Sequence, residues 1–469
     1  MSVLIKNGLV ITHAGSFEAD VLIEGDKVTA LGARGADWTA DEVIDAAGKY
    51  VVPGGIDVHT HMELPFGGTF ASDSFETGTR AAAWGGTTTI IDFAVQSKGS
   101  GLMEGWEAWM AKAEGNCAID YGFHCILSDV NDQSLKEMDI AIGEGVSSFK
   151  MFMAYPGVFF STDGEIFRAM QKAAENGATI MMHAENGIAI DVLIAQALER
   201  GETDPLYHGI VRKSILEGEA THRAIKLAEL AGSPLYIVHL SALEALAEVT
   251  NARDEGLNVY AETCPQYLYL DLDDLGNGFE GAKFVCSPPL RDRAEGHQEA
   301  LWSGLATNDL QVVSTDHCPF CFNDHPELGR QKRLGEGDFS KIPNGLPGVE
   351  HRVELIYHGA VAEERLSLER WVEVCSTTPA RMFGLFPRKG TIAVGADADI
   401  VIFDPKRKHV LSATTHHMRT DYSCYEGMQL AGGVDTVLSR GRVIISGNEY
   451  HGHKGDGQYL KRELNQYLV

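Results

Sequence analysis

The sequence predicts an α/β protein, a (β/α)8 TIM-like barrel with a small β-sandwich domain built from both ends of the chain. Two observations predict the barrel: eight short apolar runs recur through the middle of the chain, and helix-like segments separate them. Runs of about four to eight residues rich in Val, Ile, Thr and aromatics, without alternation, suit parallel strands buried on both faces. A third observation, hairpin-like segments at both chain ends, predicts the sandwich.

The N-terminal part of the sandwich is assigned to residues 1–52. Its first segment alternates apolar and polar residues and contains an Asn7-Gly8 turn, and a second turn follows at Gly25-Asp26. The pattern of the C-terminal part, residues 386–450, again predicts hairpins. Because neither part has enough apolar residues to fold alone, we expect the two to pair beside the barrel.

The barrel is assigned to residues 53–385. Its strands are predicted in the runs VVPGGIDVHTH, GGTTTIIDF, DYGFHCIL, VSSFK, ATIMMH, PLYIVH, LNVYAE and LQVVSTD. Helices are predicted over 190–200, 223–231 and 242–254, where apolar residues recur at three- and four-residue spacing and glycine often follows. A bare barrel needs roughly 250 residues, so insertions enlarge this one.

The C-terminal tail, residues 451–469, is polar in composition. That composition predicts that the tail belongs to neither core. We expect it to lie at a subunit interface.

Composition excludes several classes of partner. The formal net charge of −27 disfavours nucleic acid and anionic membranes, which require basic patches. No apolar stretch approaches the roughly 18 residues of a membrane span, and the N-terminus lacks the pattern of a signal peptide. Eight dispersed cysteines suit reduced thiols. The expected location is the cytoplasm.

Five of the apolar runs end in side chains that can bind a metal ion. These side chains are His59 and His61, Lys150, His183, His239 and Asp316. Because the carboxyl ends of barrel strands converge on one rim, we expect a single site. Imidazole and carboxylate ligands without thiolates favour zinc, although manganese, cobalt or nickel also suit them.

Lys150 differs from the other five because an ammonium group repels a cation. Burial beside metal ions lowers the pKa of a lysine from its ordinary value of roughly 10.4. A neutral amine can take up carbon dioxide to form a carbamate, whose two oxygens each reach a metal. The hypothesis is prompted by the small number of protein carboxylates available to hold two ions.

Motifs along the whole chain resemble those of the cyclic amidohydrolases, in the dihydropyrimidinase and D-hydantoinase group. They are GGIDVHTH, SFKMFMAY, HAENG, ETCPQYL, SPPLR, TDHCPF, IPNG and GTIAVGADADIV. The resemblance implies two zinc ions bridged by a carboxylated Lys150 (N6-carboxylysine). It implies His59, His61 and Asp316 on the first ion and His183 and His239 on the second, in a homotetramer or dimer.

The resemblance also implies the reaction. The enzyme is expected to open dihydropyrimidines, 5-substituted hydantoins, or both, to N-carbamoyl amino acids. A hydroxide bridging the metals would attack the ring carbonyl, with Asp316 as general base and then acid. Tyr155 would stabilise the oxyanion, while the main chain of Ser287 and Asn344 would hold the ring.

Substrate choice depends on residues around the same rim. Dihydroorotases use an arginine shortly after the HxH pair, whereas this chain has Glu63, which predicts repulsion of a carboxylated ring. An apolar lid over the ring substituent is predicted from Leu64, Phe66, Phe152 and Phe159. Two alternatives stay open: an allantoinase, and a non-catalytic scaffold protein of the same fold.

Overall fold

A computed structural model describes residues 2–467 of the chain. Its strands are arranged in a parallel barrel, a second sheet built from the two chain ends, and a small hairpin. In the described part of the chain, no helix is long and apolar enough to cross a membrane. The last two residues of the predicted tail lie outside the described residues.

The strands and helices follow in chain order. The strands are β1 (Ser2–Thr12), β2 (Gly15–Glu24), β3 (Lys27–Gly32), β4 (Glu42–Asp45), β5 (Tyr50–Pro53), β6 (Gly55–Thr60), β7 (Pro65–Phe66), β8 (Thr69–Phe70), β9 (Thr87–Val95), β10 (Asp120–Ile126), β11 (Ser148–Phe152), β12 (Thr179–His183), β13 (Leu235–Ile237), β14 (Val259–Thr263), β15 (Val312–Val313), β16 (Ile400–Val410), β17 (Gln429–Ser439), β18 (Arg442–Ser446) and β19 (Glu449–Tyr450). The helices are α1 (Phe75–Trp84), α2 (Leu102–Ala113), α3 (Asp132–Gly143), α4 (Asp163–Asn176), α5 (Gly187–Glu199), α6 (Leu206–Val211), α7 (Ser214–Ala231), α8 (Leu243–Asp254), α9 (Pro265–Tyr269), α10 (His297–Thr307), α11 (Arg352–Ile356), α12 (Leu368–Val372) and α13 (Thr378–Met382).

The barrel is an eight-stranded parallel sheet in the order β15-β14-β13-β12-β11-β10-β9-β6. Each strand coincides with one of the eight predicted apolar runs, so the predicted fold is confirmed. The first and last strands are joined just beyond β15, where a bridge links Thr60 to His317 and the His61 N–H donates to the His317 carbonyl at 2.9 Å. All eight carboxyl ends therefore lie around one rim.

Helices pack against the outside of this barrel, with a continuous apolar core between strands and helices. The predicted helices at 190–200, 223–231 and 242–254 correspond to α5, α7 and α8. Helix α7 begins nine residues earlier than predicted, at Ser214. It ends at Gly232, whose left-handed backbone (φ 71°) terminates the helix at little steric cost.

The two chain ends form one nine-stranded sheet, as predicted. Its order is β19-β18-β17-β16-β5-β1-β2-β3, and β4 also pairs with β1. The antiparallel pairing of β5 with β16 joins the N-terminal strands to the C-terminal strands. Strand β5 ends at Pro53 and β16 begins at Ile400, and the division of the chain at residues 52 and 385 stays a prediction.

The tail packs against the bottom of the barrel of its own chain. Leu460 is fully buried, and its N–H donates to the Tyr121 carbonyl at 2.8 Å. Arg462 is also buried, and its guanidinium donates to the Phe123 carbonyl at 2.5 Å and to Ser148 Oγ at 3.1 Å. The prediction that the tail belongs to neither core is therefore wrong, because Leu460 belongs to the apolar core inside the barrel. Its expected contact with another subunit stays a prediction.

A buried ammonium ties the barrel to the second sheet. Lys389 is 1% exposed and contacts three carboxylates: Asp120 at 2.6 Å, Asp397 at 3.0 Å, and Asp399. Asp120 lies at the start of β10, whereas the other two precede β16. Burial opposes a charge on Lys389, but the three carboxylates outweigh it and raise the pKa of the amine. The lysine therefore stays charged and holds three carboxylates that would otherwise repel one another.

Replacing this lysine tests its contribution to stability. Lys389→Met leaves buried Asp399 without a counter-charge, whereas Asp120 keeps Arg440 and Asp397 keeps Lys27 and Arg388. The free energy of unfolding is expected to fall by about 3–5 kcal/mol, because an unpaired buried charge is costly. Urea unfolding followed by circular dichroism measures the change. Lys408→Met, at an exposed position on β16, is the matched control. Equal unfolding midpoints for the two variants would contradict the assigned role.

Candidate active site

Three donor atoms from the first and last barrel strands meet at the rim. His59 Nε2 lies 3.2 Å from His61 Nε2, and Asp316 Oδ1 lies 3.1 Å from the first and 3.3 Å from the second. The two histidines are two residues apart in sequence and lie at the end of β6, so both rings turn to the same side. The structure therefore brings together the three side chains predicted for the first ion.

Three further predicted ligands lie beside this group. Lys150, in the middle of β11, is 1% exposed, and its Nζ is 2.8 Å from His59 Nε2. His183 Nδ1, at the end of β12, is 2.9 Å from His239 Nε2, just beyond β13. The His59 and His239 rings are stacked with centroids 5.3 Å apart. The two predicted ligand groups are thus continuous through Lys150 and His59.

Two buried glutamates orient the histidines. Glu262, in β14, accepts from His59 Nδ1 through one carboxylate oxygen and from the Tyr236 hydroxyl at 2.9 Å through the other. Glu185 lies 2.7 Å from His183 Nε2. Neither glutamate is among the predicted site residues, although each follows or ends a predicted strand. Such carboxylates fix the tautomer of a metal-binding imidazole and raise its basicity.

The backbone at this rim is strained. Tyr155, His239 and Asp316 have φ values of 60°, 41° and 52°, in the left-handed region that side chains disfavour. The Tyr155 carbonyl accepts three N–H groups, from residues 158 to 160, which hold the turn after β11. Such strain costs on the order of 1–3 kcal/mol per residue and is typical of functional sites.

The protonation states favour a cation in this space. Burial lowers the pKa of the Lys150 amine to about 8. Burial alone would raise the pKa of Asp316, but the charge of His59 and hydrogen bonds from His59 and His61 hold it well below its ordinary value. Asp316 is therefore ionised at neutral pH, and Lys150 loses its proton far more readily than a free lysine.

The donor set fits divalent metal ions. Burial opposes a proton on His59, but Glu262 and Asp316 outweigh it and raise the pKa of His59, so His59 is protonated in the metal-free site. Because Glu262 accepts from His59 Nδ1, the Nε2 lone pair would face His61 and Asp316 once a metal ion displaced the Nε2 proton. In the same way Glu185 binds His183 Nε2, which turns the Nδ1 lone pair towards His239. Lone pairs that converge in a buried space repel one another unless a proton or a metal ion lies among them. The atoms of the first group lie within 4.8 Å of one another, as the ligands of one ion would.

A cavity of about 50 Å³ opens above these donors. It is lined by every residue predicted for the site except His59, which lies beneath it. On one side Asn344 Nδ2 donates to Ser287 Oγ at 3.0 Å and to the Tyr155 hydroxyl at 3.4 Å. Burial raises the pKa of Tyr155, so its hydroxyl stays protonated and can donate to a bound molecule.

The main chain on this side has free hydrogen-bonding groups. Among residues 2–467, no hydrogen bond joins the main-chain N–H or carbonyl of Ser287 or Asn344 to another residue. Both residues line the cavity. Two peptide segments can therefore bind the polar edge of a small molecule there.

The other wall of the cavity is apolar. Phe152 stacks on Phe159 with ring centroids 4.9 Å apart, and Phe159 stacks on Phe66 at 6.3 Å. Leu64 and Phe66 belong to the segment that leads into the β7–β8 hairpin. All four residues predicted for the lid line the cavity.

The predicted effect of Glu63 on substrate charge is not supported. Glu63 does not line the cavity; its carboxylate faces the start of α1, where it accepts the Phe75 N–H at 3.4 Å. Glu63 has a positive φ (55°), and with this backbone conformation its side chain points away from the cavity. The sequence does not reveal this conformation. Within residues 2–467, no arginine lines the cavity to bind a substrate carboxylate.

Comparisons with known proteins agree with this site. A model of the amidohydrolase family matches residues 50–444. A D-hydantoinase of Streptomyces coelicolor is 65% identical over 471 residues, covering 99% of both chains. The crystal structure of dihydropyrimidinase from Brevibacillus agri NCHU1002 superposes with a TM-score of 0.96 at 49% identity and 99% coverage of both chains. An L-hydantoinase (dihydropyrimidinase) from Arthrobacter aurescens has a TM-score of 0.89 at 31% identity, with 98% of this chain and 99% of that chain covered.

Replacing Glu262 tests whether it supports a metal ligand. Glu262→Gln removes the carboxylate that holds His59, and metal affinity is expected to fall about 10- to 100-fold. Competition with a chromogenic chelator measures the affinity. Glu248→Gln is the control, because Glu248 forms a similar pair with exposed His222 at 2.8 Å. Unchanged affinity in Glu262→Gln would show that Glu262 does not act through a metal ligand.

Proposed function

The chain belongs to the amidohydrolase family, in the group of dihydropyrimidinases and D-hydantoinases, and we propose that it opens 5-substituted hydantoins and dihydropyrimidines to N-carbamoyl amino acids. It is a hydrolase that acts on the C–N bonds of cyclic amides. One observation carries the choice of substrate: a single cavity has metal-capable donors on its floor, free peptide groups on one side and an apolar wall on the other. A cyclic imide with a hydrophobic substituent matches these three surfaces.

The proposed metal site uses the six predicted ligands. His59, His61 and Asp316 would hold one divalent cation, His183 and His239 would hold the other, and Lys150 would bridge them. When bound, two such ions supply Lewis acidity to a carbonyl oxygen and lower the pKa of a shared water. The donor chemistry favours zinc.

Lys150 can bridge two cations only after modification. Its buried amine has a pKa lowered to about 8, so about a tenth of it is neutral at pH 7 and can attack carbon dioxide, far more than for an exposed lysine. The new bond joins Nζ to the carbon, and the released proton leaves to solvent. The resulting anion replaces a positive charge with a negative one, which the two metals require.

Asp316 and Tyr155 then carry the proton and charge movements. Asp316 is ionised, so its free oxygen can accept a proton from the attacking water and pass it to the leaving ring nitrogen. Tyr155 would donate a hydrogen bond to the oxyanion that forms on the attacked carbonyl, an interaction worth roughly 3–4 kcal/mol. The Asn344 amide bonded to the Tyr155 hydroxyl orients that donor.

The main chain of Ser287 and Asn344 would hold the ring. An imide edge presents N–H and carbonyl groups in alternation, which the free peptide groups of these residues can bind. With the edge fixed there, the ring substituent points to the wall of Leu64, Phe66, and Phe152. Substituents with aromatic or branched groups bury the most apolar surface against this wall.

Preference for the D-enantiomer of a 5-substituted hydantoin is part of the proposal. The Streptomyces coelicolor relative named a D-hydantoinase is 65% identical, whereas the Arthrobacter aurescens L-hydantoinase is 31% identical.

The alternatives fit the site less well. An allantoinase needs polar contacts for a ureido substituent, and the wall facing the substituent is apolar. A non-catalytic scaffold would not need metal ligands, yet all six are present and converge. We further propose a homotetramer, which the family resemblance supports, and a cytoplasmic location, which eight unpaired buried cysteines support.

A substrate comparison tests the proposed function. The purified zinc-loaded enzyme is offered D- and L-5-phenylhydantoin, dihydrouracil, allantoin and dihydroorotate in parallel. We expect the largest kcat/KM for D-5-phenylhydantoin, then dihydrouracil, and little or no turnover of the two polar substrates. Faster hydrolysis of allantoin or dihydroorotate would contradict the assignment.

The role of Tyr155 is tested by removing its hydroxyl. Tyr155→Phe is expected to keep both metal ions and lose about a hundredfold to a thousandfold in kcat, because the oxyanion loses its donor. Steady-state kinetics and metal analysis measure the two effects. Tyr207→Phe, outside the cavity, is the control. Full activity of Tyr155→Phe would remove Tyr155 from the mechanism.

A further inference from the structure

A buried lysine in the segment between β15 and α11 lies next to the main-chain segments of Ser287 and Asn344. Lys332 begins a short 3-10 turn, Lys332–Gly335, and is fully buried. Its Nζ donates three hydrogen bonds, all to main-chain carbonyls: Val285 at 3.0 Å, Pro343 at 2.8 Å and Gly345 at 2.8 Å. Each of the three protons of the ammonium therefore has one acceptor, and its charge has no carboxylate partner in the described chain.

These carbonyls flank the two residues proposed to hold the substrate ring. Val285 is two residues before Ser287, while Pro343 and Gly345 lie on either side of Asn344. The Gly345 N–H also donates to the Val285 carbonyl at 3.0 Å, so the two segments are already in contact. Lys332 thus fixes the separation of the Ser287 segment and the Asn344 segment from behind.

The same contacts change the strength of the ring-binding groups. The Pro343 carbonyl and the Asn344 N–H belong to one peptide group, so an ammonium on the oxygen polarises the N–H towards the cavity. The Ser287 peptide has a parallel arrangement, because His208 Nε2 donates to the Cys286 carbonyl at 2.7 Å. Both peptides that face the ring are therefore backed by a buried donor.

The Asn344 segment also lies tightly against the strand end that carries Asp316. A Cβ atom at Gly345 would lie 2.2 Å from the Cys318 carbonyl oxygen, and the Cys318 N–H donates to the Leu346 carbonyl at 3.1 Å. A shift of the Asn344 segment would therefore also move it relative to the catalytic carboxylate. Lys332 bonds through its terminal group to main-chain carbonyls of both ring-binding segments.

We propose that Lys332 is a positioning residue for ring recognition, which ties the Ser287 and Asn344 segments into the spacing that a cyclic imide requires. The inference rests on the proposed function, because it assigns these two segments to the substrate. It adds a requirement from outside the cavity, since Lys332 touches neither the substrate space nor the metal donors.

Kinetics of two substitutions test the proposal. Lys332→Met keeps the length of the side chain but has no donor, and its KM for D-5-phenylhydantoin and dihydrouracil is expected to rise about tenfold. The kcat and metal content should stay within about threefold of the parent enzyme, because the weakened main-chain contacts from the Ser287 and Asn344 segments are made to the bound ring throughout the reaction. Lys332→Gln retains an amide donor and should give an intermediate KM. Arg333→Met, on the same turn, is the matched control and should leave KM unchanged.

Hydrogen–deuterium exchange tests, in the absence of substrate, whether Lys332 holds the Ser287 and Asn344 segments together. In metal-loaded Lys332→Met, peptides covering 285–290 and 342–347 should both exchange faster than in Arg333→Met. Unchanged KM, unchanged exchange, or loss of metal would overturn the role of Lys332. Failure of both Lys332 variants to fold would also overturn it, because a residue that acts only through the two segments is dispensable for the barrel. A parent enzyme inactive on both rings would instead overturn the proposed function.

Discussion

The structure depends on the repulsion among lone pairs that the barrel forces together at its carboxyl rim. His59 and His61 leave the first strand and Asp316 leaves the last, and their donor atoms are 3.1–3.3 Å apart. The closed parallel sheet holds these strand ends close together. Divalent cations remove the repulsion. The fold therefore favours the binding of divalent metal ions at this rim.

Buried residues around the histidines leave their inner nitrogen atoms available to a cation. Glu262 and Glu185 bind the outer nitrogens of His59 and His183, which leaves the inner nitrogens free to coordinate. Burial prevents water from satisfying the donors and lowers the pKa of Lys150 to about 8. Burial raises the free-energy cost of donor atoms that have no partner. It also makes the Lys150 amine more reactive, because the amine loses its proton more easily. One physical condition, exclusion of water, thus prepares both the ligands and the bridging group.

Much of the fold and the ligand set could be predicted because both leave local patterns. Buried parallel strands read as continuous apolar runs, and a polar residue that ends such a run is conspicuous, as at His183 and Asp316. Glu262 also ends a run, but an acidic residue there can either bind the metal itself or hydrogen-bond to a histidine that binds it. Only the position of the His59 ring distinguishes the two.

Other features depend on tertiary contacts that no local pattern records. Lys332 reaches carbonyls 11 and 13 residues ahead and 47 residues behind, so its role appears only once the insertion is folded. Glu63 turns away from the cavity because of its backbone conformation. Leu460 and Arg462 close the barrel floor although the tail is polar overall. In each case the direction of one side chain decides the function.

The most direct test is a crystal structure of the zinc-loaded enzyme with anomalous scattering measured at the zinc edge. The account predicts two anomalous peaks, one beside His61 and Asp316 and one beside His183 and His239. Electron density should extend Lys150 by a planar group that contacts both ions. A single peak, or an unmodified Lys150 amine turned away from the metals, would contradict it.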